Sequence, residues 1–105
     1  MITRMFEVLH ECIVNEGEWT QKLLSSAKVE DGKVIIDATT HQLYAALAYI
    51  RGFIGLRSFF SDPRQMMAQL LDSRELLESQ GWTVNFRFRR DGRGDYLHRF
   101  SRAVA

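Results

Sequence analysis

The sequence predicts an α+β fold, in which a small, single-layer, mostly antiparallel sheet of two β-hairpins is covered by three to four helices. Three observations predict it. Apolar residues recur at helical spacing in three segments, an Asp-Gly pair separates two runs that contain β-branched residues, and polar and apolar residues alternate after Gly81. The 105 residues contain one proline and no linker-like stretch, so we expect a single domain over residues 1–105.

The N-terminal segment predicts a helix over residues 2–14. Its apolar residues are spaced to share one helical face, and they are Met5, Phe6, Leu9, Cys12 and Ile13. We expect Gly17 to interrupt this helix. Trp19, Leu23 and Leu24 then suit a further helical turn or two against the same core.

The first hairpin is predicted by Asp31-Gly32, which lies between the runs 27–30 and 33–37. Asp-Gly readily adopts the positive φ angles of a type I′ turn, the turn that best joins two antiparallel strands. The next residues, 37–40, offer side-chain oxygens that can cap the start of a helix.

The segment 43–60 predicts a long central helix. Its apolar stripe comprises Leu43, Ala46, Leu47, Ile50, Phe53 and Ile54. Small residues, Ala45, Ala48 and Gly52, form a strip on a neighbouring face. We therefore expect this helix to be shielded from water nearly all the way round, and to weaken at Gly52 or Gly55.

A further helix is predicted over 64–80, started by Asp62-Pro63 and ended by Gly81. Its expected core face consists of Met66, Met67, Leu70, Leu71 and Leu77. The alternation that follows predicts a strand with Trp82, Val84, Phe86 and Phe88 on its core face and Thr83, Asn85, Arg87 and Arg89 opposite. A turn at 91–94 and a second strand over 96–101 complete the second hairpin.

Charge is distributed unevenly along the chain. Residues 1–50 carry four Lys/Arg and seven Asp/Glu, whereas residues 51–105 carry ten arginines and six Asp/Glu. Such polarity is typical of two solvated faces that attract each other, and it also suits an anionic partner.

The sequence lacks the residues that several classes of function require. Cys12 is the only cysteine, so no intrachain disulfide can form. That cysteine and three scattered histidines match neither a zinc site nor a catalytic motif, so we expect no enzyme activity, metal or cofactor. Segment 43–60 is too short and too charged to span a membrane, and the N-terminus lacks a secretory pattern, which favours a cytoplasmic location.

The leading hypothesis is a non-catalytic protein-interaction module that self-associates as a homodimer. Its expected interface consists of Tyr44, Ala45, Ala48, Tyr49 and Gly52. One alternative is an apolar small molecule bound between the helices near Met66 and Met67.

A second alternative is the binding of nucleic acid or another anionic ligand by the C-terminal hairpin. The anion-binding residues would be Arg87, Arg89, Arg90 and Arg99. The alternation places Phe86 and Phe88 on the core face. It would leave these arginines without an exposed ring on which a base could stack, which ranks this alternative below the homodimer.

Overall fold

The computed structural model describes residues 2–15, 17–53 and 60–104, except for the side chains of Trp19 and Phe53. The described residues form five α-helices and four β-strands. In chain order these are α1 Ile2–Val14, α2 Glu18–Leu23, β1 Lys28–Glu30, β2 Lys33–Ala38, α3 Thr40–Phe53, α4 Pro63–Asp72, α5 Arg74–Ser79, β3 Thr83–Arg90 and β4 Tyr96–Ala103. None of these helices is long and apolar enough to cross a membrane.

The four strands form one sheet in the order β1-β2-β4-β3, with every neighbouring pair antiparallel. The predicted α+β fold with two hairpins is confirmed. One face of the sheet packs against the helices through a core that includes Val34, Ile36, Val84 and Phe100. Alternate residues point away from the helices, and we call that side the outer face; it includes Ile35, Asp37, Asn85, Arg99 and Ser101.

The first hairpin forms as predicted. Asp31 and Gly32 have φ angles of 53° and 74°, the positive values that a type I′ turn needs at both central residues. The predicted cap of the next helix is a reciprocal pair. The Gln42 backbone N–H donates to Thr39 Oγ1 at 3.2 Å, and the Thr39 N–H donates to Gln42 Oε1 at 3.0 Å. Helix α3 therefore begins at Thr40, three residues before the expected start.

Helix α3 buries only one side, so the expectation of all-round shielding is wrong. Leu43, Ala46, Leu47 and Ile50 are fully buried, as their spacing predicted. Tyr49, in contrast, is 49% exposed, and Gly52 is exposed as well. In the described structure the helix packs against α1, α2, α4 and strands β2 and β4 of the sheet. Residues 54–59 of the predicted helix, which include Ile54 and Gly55, lie outside the described residues, and Phe60 is buried but not helical.

The predicted helix over 64–80 is two helices. Asp62 caps the first as expected, since its Oδ1 accepts a bond from the Gln65 N–H at 2.8 Å. Ser73 then adopts φ −95° and ψ 3°, outside the α-helical region, and separates α4 from α5. The core face is correspondingly only partly as predicted. Met66, Leu70 and Leu77 are buried and Met67 is half-buried, whereas Leu71 is exposed.

The C-terminal end of α5 closes as Gly81 predicts. Gly81 has a φ of 94°, and its N–H donates to the Glu78 carbonyl at 3.1 Å. The Trp82 N–H donates to the Leu77 carbonyl at 3.1 Å, so the pair satisfies two of the carbonyls that a helix end leaves open.

Two glycine substitutions should change stability in opposite directions. Gly81→Ala should lower the free energy of unfolding by about 1–2 kcal/mol, because a side chain is strained at positive φ. Gly52→Ala should raise it by about 0.4–1 kcal/mol, because the site is helical and open and the unfolded chain loses freedom. Urea unfolding of both variants measures these changes, and a stabilised Gly81→Ala would contradict the assigned cap.

Candidate functional site

Strand β3 contains a bulge that changes which way its side chains face. Its pairing with β4 runs regularly to Asn85↔Arg99 and resumes at Arg89↔Leu97. Three residues of β3 therefore lie opposite the single residue His98 of β4. Within this bulge Arg87 has a φ of 53°, a left-handed conformation that is uncommon for a residue other than glycine.

The predicted position of Phe88 on the core face is wrong, because Phe88 lies within the bulge. Phe86, the first residue of the bulge, remains on the core side, where its ring lies 5.9 Å from that of Phe100. Phe88 lies on the outer face instead, where the Arg99 guanidinium carbon is 4.1 Å from the centre of its ring. The side chain of Phe88 is 42% exposed. Arg89 also faces outward, because it pairs with Leu97 two residues along β4 from Arg99.

A buried carboxylate holds the arginine that contacts Phe88. Asp37 is only 5% exposed, and Arg99 binds it with two hydrogen bonds, Nε to Oδ1 at 2.7 Å and Nη2 to Oδ2 at 2.8 Å. These bonds raise the pKa of Arg99 above its usual value. Arg89 Nη2 lies 3.9 Å from the same carboxylate. Asp37 thus fixes the edge of the Arg99 guanidinium, and the face of that guanidinium lies on the Phe88 ring.

A second exposed aromatic ring lies at the tip of the hairpin. Tyr96 is 40% exposed, and the guanidinium carbons of Arg90 and Arg87 lie 4.7 Å and 5.5 Å from its ring centre. Arg90 Nη2 also donates to the Tyr96 hydroxyl at 3.1 Å. Within the described part of the chain, neither Arg87 nor Arg90 lies within ion-pair distance of a carboxylate.

These residues lie on one hairpin but on both sides of the sheet, and we call them together the hairpin surface. It consists of Arg87, Phe88, Arg89, Arg90, Tyr96 and Arg99. Phe88, Arg89 and Arg99 lie on the outer face, whereas Arg87, Arg90 and Tyr96 lie on the side of His98. The four predicted arginines thus lie in two pairs, Arg89 and Arg99 beside Asp37 on the outer face and Arg87 and Arg90 beside Tyr96. The structure adds two exposed aromatic residues, and the exposed position of Phe88 is the feature that the alternation in the sequence concealed.

Arg102, the last arginine of the chain, belongs to a different environment. It faces the helices, makes a two-point ion pair with Glu7 of α1, and donates from Nε to His10 Nδ1 at 3.2 Å. Burial, followed by the charge of Arg102, lowers the pKa of His10. The pair joins the acidic first half of the chain to the basic second half, as Asp37 and Arg99 do.

The five residues of the predicted dimer interface do not share one environment. Tyr44 contacts its own chain, since its hydroxyl donates to the Ser61 carbonyl at 3.1 Å and its ring lies 5.8 Å from that of Phe60. The other four lie along the open side of α3, and they are Ala45, Ala48, Tyr49 and Gly52. Ala45 and Ala48 are half-buried.

The methionines give no support to a pocket between the helices at Met66, which is completely buried in the core. Met67 is half-buried and lines an open groove of 470 Å³ at the end of the sheet. The binding of an apolar ligand therefore stays a prediction, and the buried side chain of Met66 does not support it.

Comparisons with known proteins found no matching family model and no significant match among curated proteins or solved structures. In the described ranges, no group of three or more His, Cys, Asp or Glu side chains is placed to hold a metal ion. The hairpin surface and α3 are therefore the parts of the described structure whose geometry and chemistry bear on function.

The pairing of Asp37 with Arg99 should matter for stability. Asp37→Asn should lower the free energy of unfolding by about 1–3 kcal/mol, because the buried amide would bind the Arg99 guanidinium less strongly than the carboxylate does. Glu30→Gln is the matched control, since Glu30 and its partner Lys28 are both exposed on the same sheet. Urea unfolding should show no change for the control. Equal effects of the two substitutions would contradict the structural role of Asp37.

Proposed function

We propose that the hairpin surface binds single-stranded nucleic acid. The observation that carries the proposal is the bulge in β3, which sets Phe88 on the outer face beside Arg89 and Arg99. Proteins that bind single strands combine aromatic rings, on which bases stack, with cations that neutralise the phosphates. The hairpin surface contains both, with Tyr96 as a second ring.

The arginines of the surface have different parts in this proposal. Arg99 is held by the buried Asp37, so its main contribution is to fix the Phe88 ring in place. Arg87 and Arg90 lie beside Tyr96 and away from carboxylates in the described structure, which leaves their charge available to phosphates. A base stacked on Phe88 or Tyr96 would then have a cation near its phosphate.

A single strand suits this surface better than a duplex. The rings of Phe88 and Tyr96 are exposed on opposite sides of the hairpin, and stacking on them requires bases that are not already paired and stacked. The surface contains no helix that would enter a major groove, because β3, β4 and their connecting turn supply all its residues.

Removing the exposed ring tests the stacking. Phe88→Ala should weaken binding of labelled oligothymidylate by about fivefold to a hundredfold, the range that one stacked base contributes. Phe88→Tyr, which keeps the ring, should bind like the wild type. Fluorescence anisotropy at low salt measures both. If polyphosphate competes fully and Phe88→Ala changes nothing, the surface binds charge alone and the stacking proposal is wrong.

Removing two cations tests the phosphate contacts. The double substitution Arg87→Gln with Arg90→Gln should reduce the slope of log affinity against log salt by about 1.4, or about 0.7 for each lost contact. Arg64→Gln is the control, because Arg64 is an exposed arginine of α4 and lies outside the hairpin surface. An unchanged slope, or no wild-type binding at about 50 mM salt, would overturn the proposal.

A second candidate function is self-association through α3, and its support is the open side of that helix. Among the described residues, a side chain added at Gly52 would meet nothing within 4 Å, and Ala45 and Ala48 on the same side are only half-buried. Small residues allow another backbone to approach closely, which suits a copy related by a two-fold axis.

The mass in solution tests this candidate. A dimer would have twice the 12.2 kDa of the chain in light scattering after size-exclusion chromatography. Ala48→Arg should return it to the monomer, because a long charged side chain cannot fit a close helix contact. Arg64→Gln should leave the mass unchanged. A wild-type monomer at tens of micromolar would rule out the dimer.

A further inference from the structure

His98 of β4 is a buried residue that the hairpin surface does not include, yet it contacts the bulge directly. It is 4% exposed and pairs across the sheet with Ala38. Its Nδ1 accepts a hydrogen bond from the Arg87 backbone N–H at 3.0 Å, and its Nε2 lies 3.0 Å from Thr40 Oγ1. The imidazole therefore connects the bulge in β3 to the start of α3.

The hydrogen bonds fix the protonation state of this ring. A backbone N–H can only donate, so Nδ1 of His98 must be unprotonated, and the neutral ring carries its proton on Nε2. That proton is donated to Thr40 Oγ1. A second proton on Nδ1 would set one donor against another and break the bond to Arg87.

The surroundings of His98 favour the neutral ring. Burial, and then the positive charge of Arg87, lower the pKa of His98 below its usual value. The titratable and charged groups around it line a common groove. They are Arg87 of β3, His41 of α3, Tyr96 of β4, and Asp95 in the preceding turn; α4 contributes only the uncharged Met67 and Leu71.

We propose that His98 is the positioning residue of the bulge, and that its protonation weakens nucleic-acid binding as the pH falls. The inference rests on the proposed function. Arg87 is held at positive φ, and its N–H bond to His98 helps to offset the strain of that conformation. Loss of the bond lets the bulge relax, and Phe88 then leaves its place on Arg99.

The direction of the effect separates this proposal from ordinary electrostatics. Protonation of histidines adds positive charge, so charge attraction alone predicts tighter binding of a polyanion at low pH. Control of the bulge by His98 predicts weaker binding. Oligothymidylate is a suitable probe, because thymine does not titrate between pH 5.0 and pH 7.5, the range over which the affinities are compared.

Two substitutions of His98 distinguish its acceptor from its charge. In His98→Asn the side-chain oxygen takes the position of Nδ1 and cannot be protonated in this range. This variant should bind like the wild type at pH 7.5 and keep that affinity at pH 5.0. His98→Leu lacks the acceptor and should bind weakly at both values. His41→Asn is the control, since His41 is exposed, lines the same groove and should leave the pH response unchanged.

The binding experiment compares the affinity for labelled oligothymidylate at the two pH values and fixed salt, with circular dichroism to verify that each protein remains folded. Wild-type affinity should fall from pH 7.5 to pH 5.0 to the extent that His98 becomes protonated, and by about fivefold or more once protonation is complete, which corresponds to the loss of one stacked base. Constant or tighter binding would overturn the inference, as would a wild-type pH response in His98→Asn.

Nuclear magnetic resonance of the free protein tests the same link without any ligand. The amide proton of Arg87 should shift upfield with the same midpoint as the His98 imidazole, because protonation removes its hydrogen bond. If the chemical shift of the Arg87 amide proton does not change as His98 titrates, the inference is overturned even if the oligonucleotide binds. If the amide follows the titration and no oligonucleotide binds, the proposed function fails and the link between His98 and the bulge stands.

Discussion

The bulge between Asn85 and Arg89 is the constraint on which the candidate site depends. Side chains alternate with a period of two, so two additional residues opposite His98 leave the faces of the later residues unchanged. The irregular backbone within the bulge, with Arg87 at positive φ, is what turns Phe88 outward. Phe88 contacts Arg99 on the outer face for this reason. In a regular strand Phe88 would lie with Phe86 and Phe100 against the helices, and the arginines would form a polar face without an exposed ring.

Buried polar contacts hold the bulge from both sides of the sheet. On the helix side, His98 accepts the Arg87 N–H that the broken ladder leaves without a strand partner. On the outer face, Asp37 holds Arg99, and Arg99 supports Phe88. Asp37 and His98 lie on β2 and β4, which pair regularly, so the regular half of the sheet positions the irregular half.

The uneven charge of the chain is partly compensated within the fold. Asp37 and Glu7, from the acidic first half, bind Arg99 and Arg102 of the last strand. The two pairs join residues that are far apart in sequence, and they explain why a basic second half need not indicate a basic surface. Arg87 and Arg90, which lie away from carboxylates in the described structure, are consequently more informative than the total charge.

Local signals allowed most of the fold to be predicted. Asp31-Gly32, Asp62-Pro63 and Gly81 mark turns and helix ends through the conformations that their own backbones favour, and all three are confirmed. The break at Ser73 and the open side of α3 were missed, since both depend on how neighbouring elements pack. They leave Leu71 and Tyr49 exposed despite their apolar character.

The four arginines of the candidate site could be predicted because they cluster in the sequence, whereas the position of Phe88 could not. The bulge depends on pairing with β4 and on the bond from Arg87 to His98, eleven residues away along the chain. No residue near Arg87 marks a left-handed conformation as glycine would.

The position of the Phe88 ring in solution is the most direct test of this account. A nuclear Overhauser spectrum of the free protein should connect the ring protons of Phe88 to the side chain of Arg99 and leave them without contacts to Phe100. Contacts of Phe88 with Phe100 and none with Arg99 would mean that β3 alternates regularly, and the hairpin surface as described would not exist.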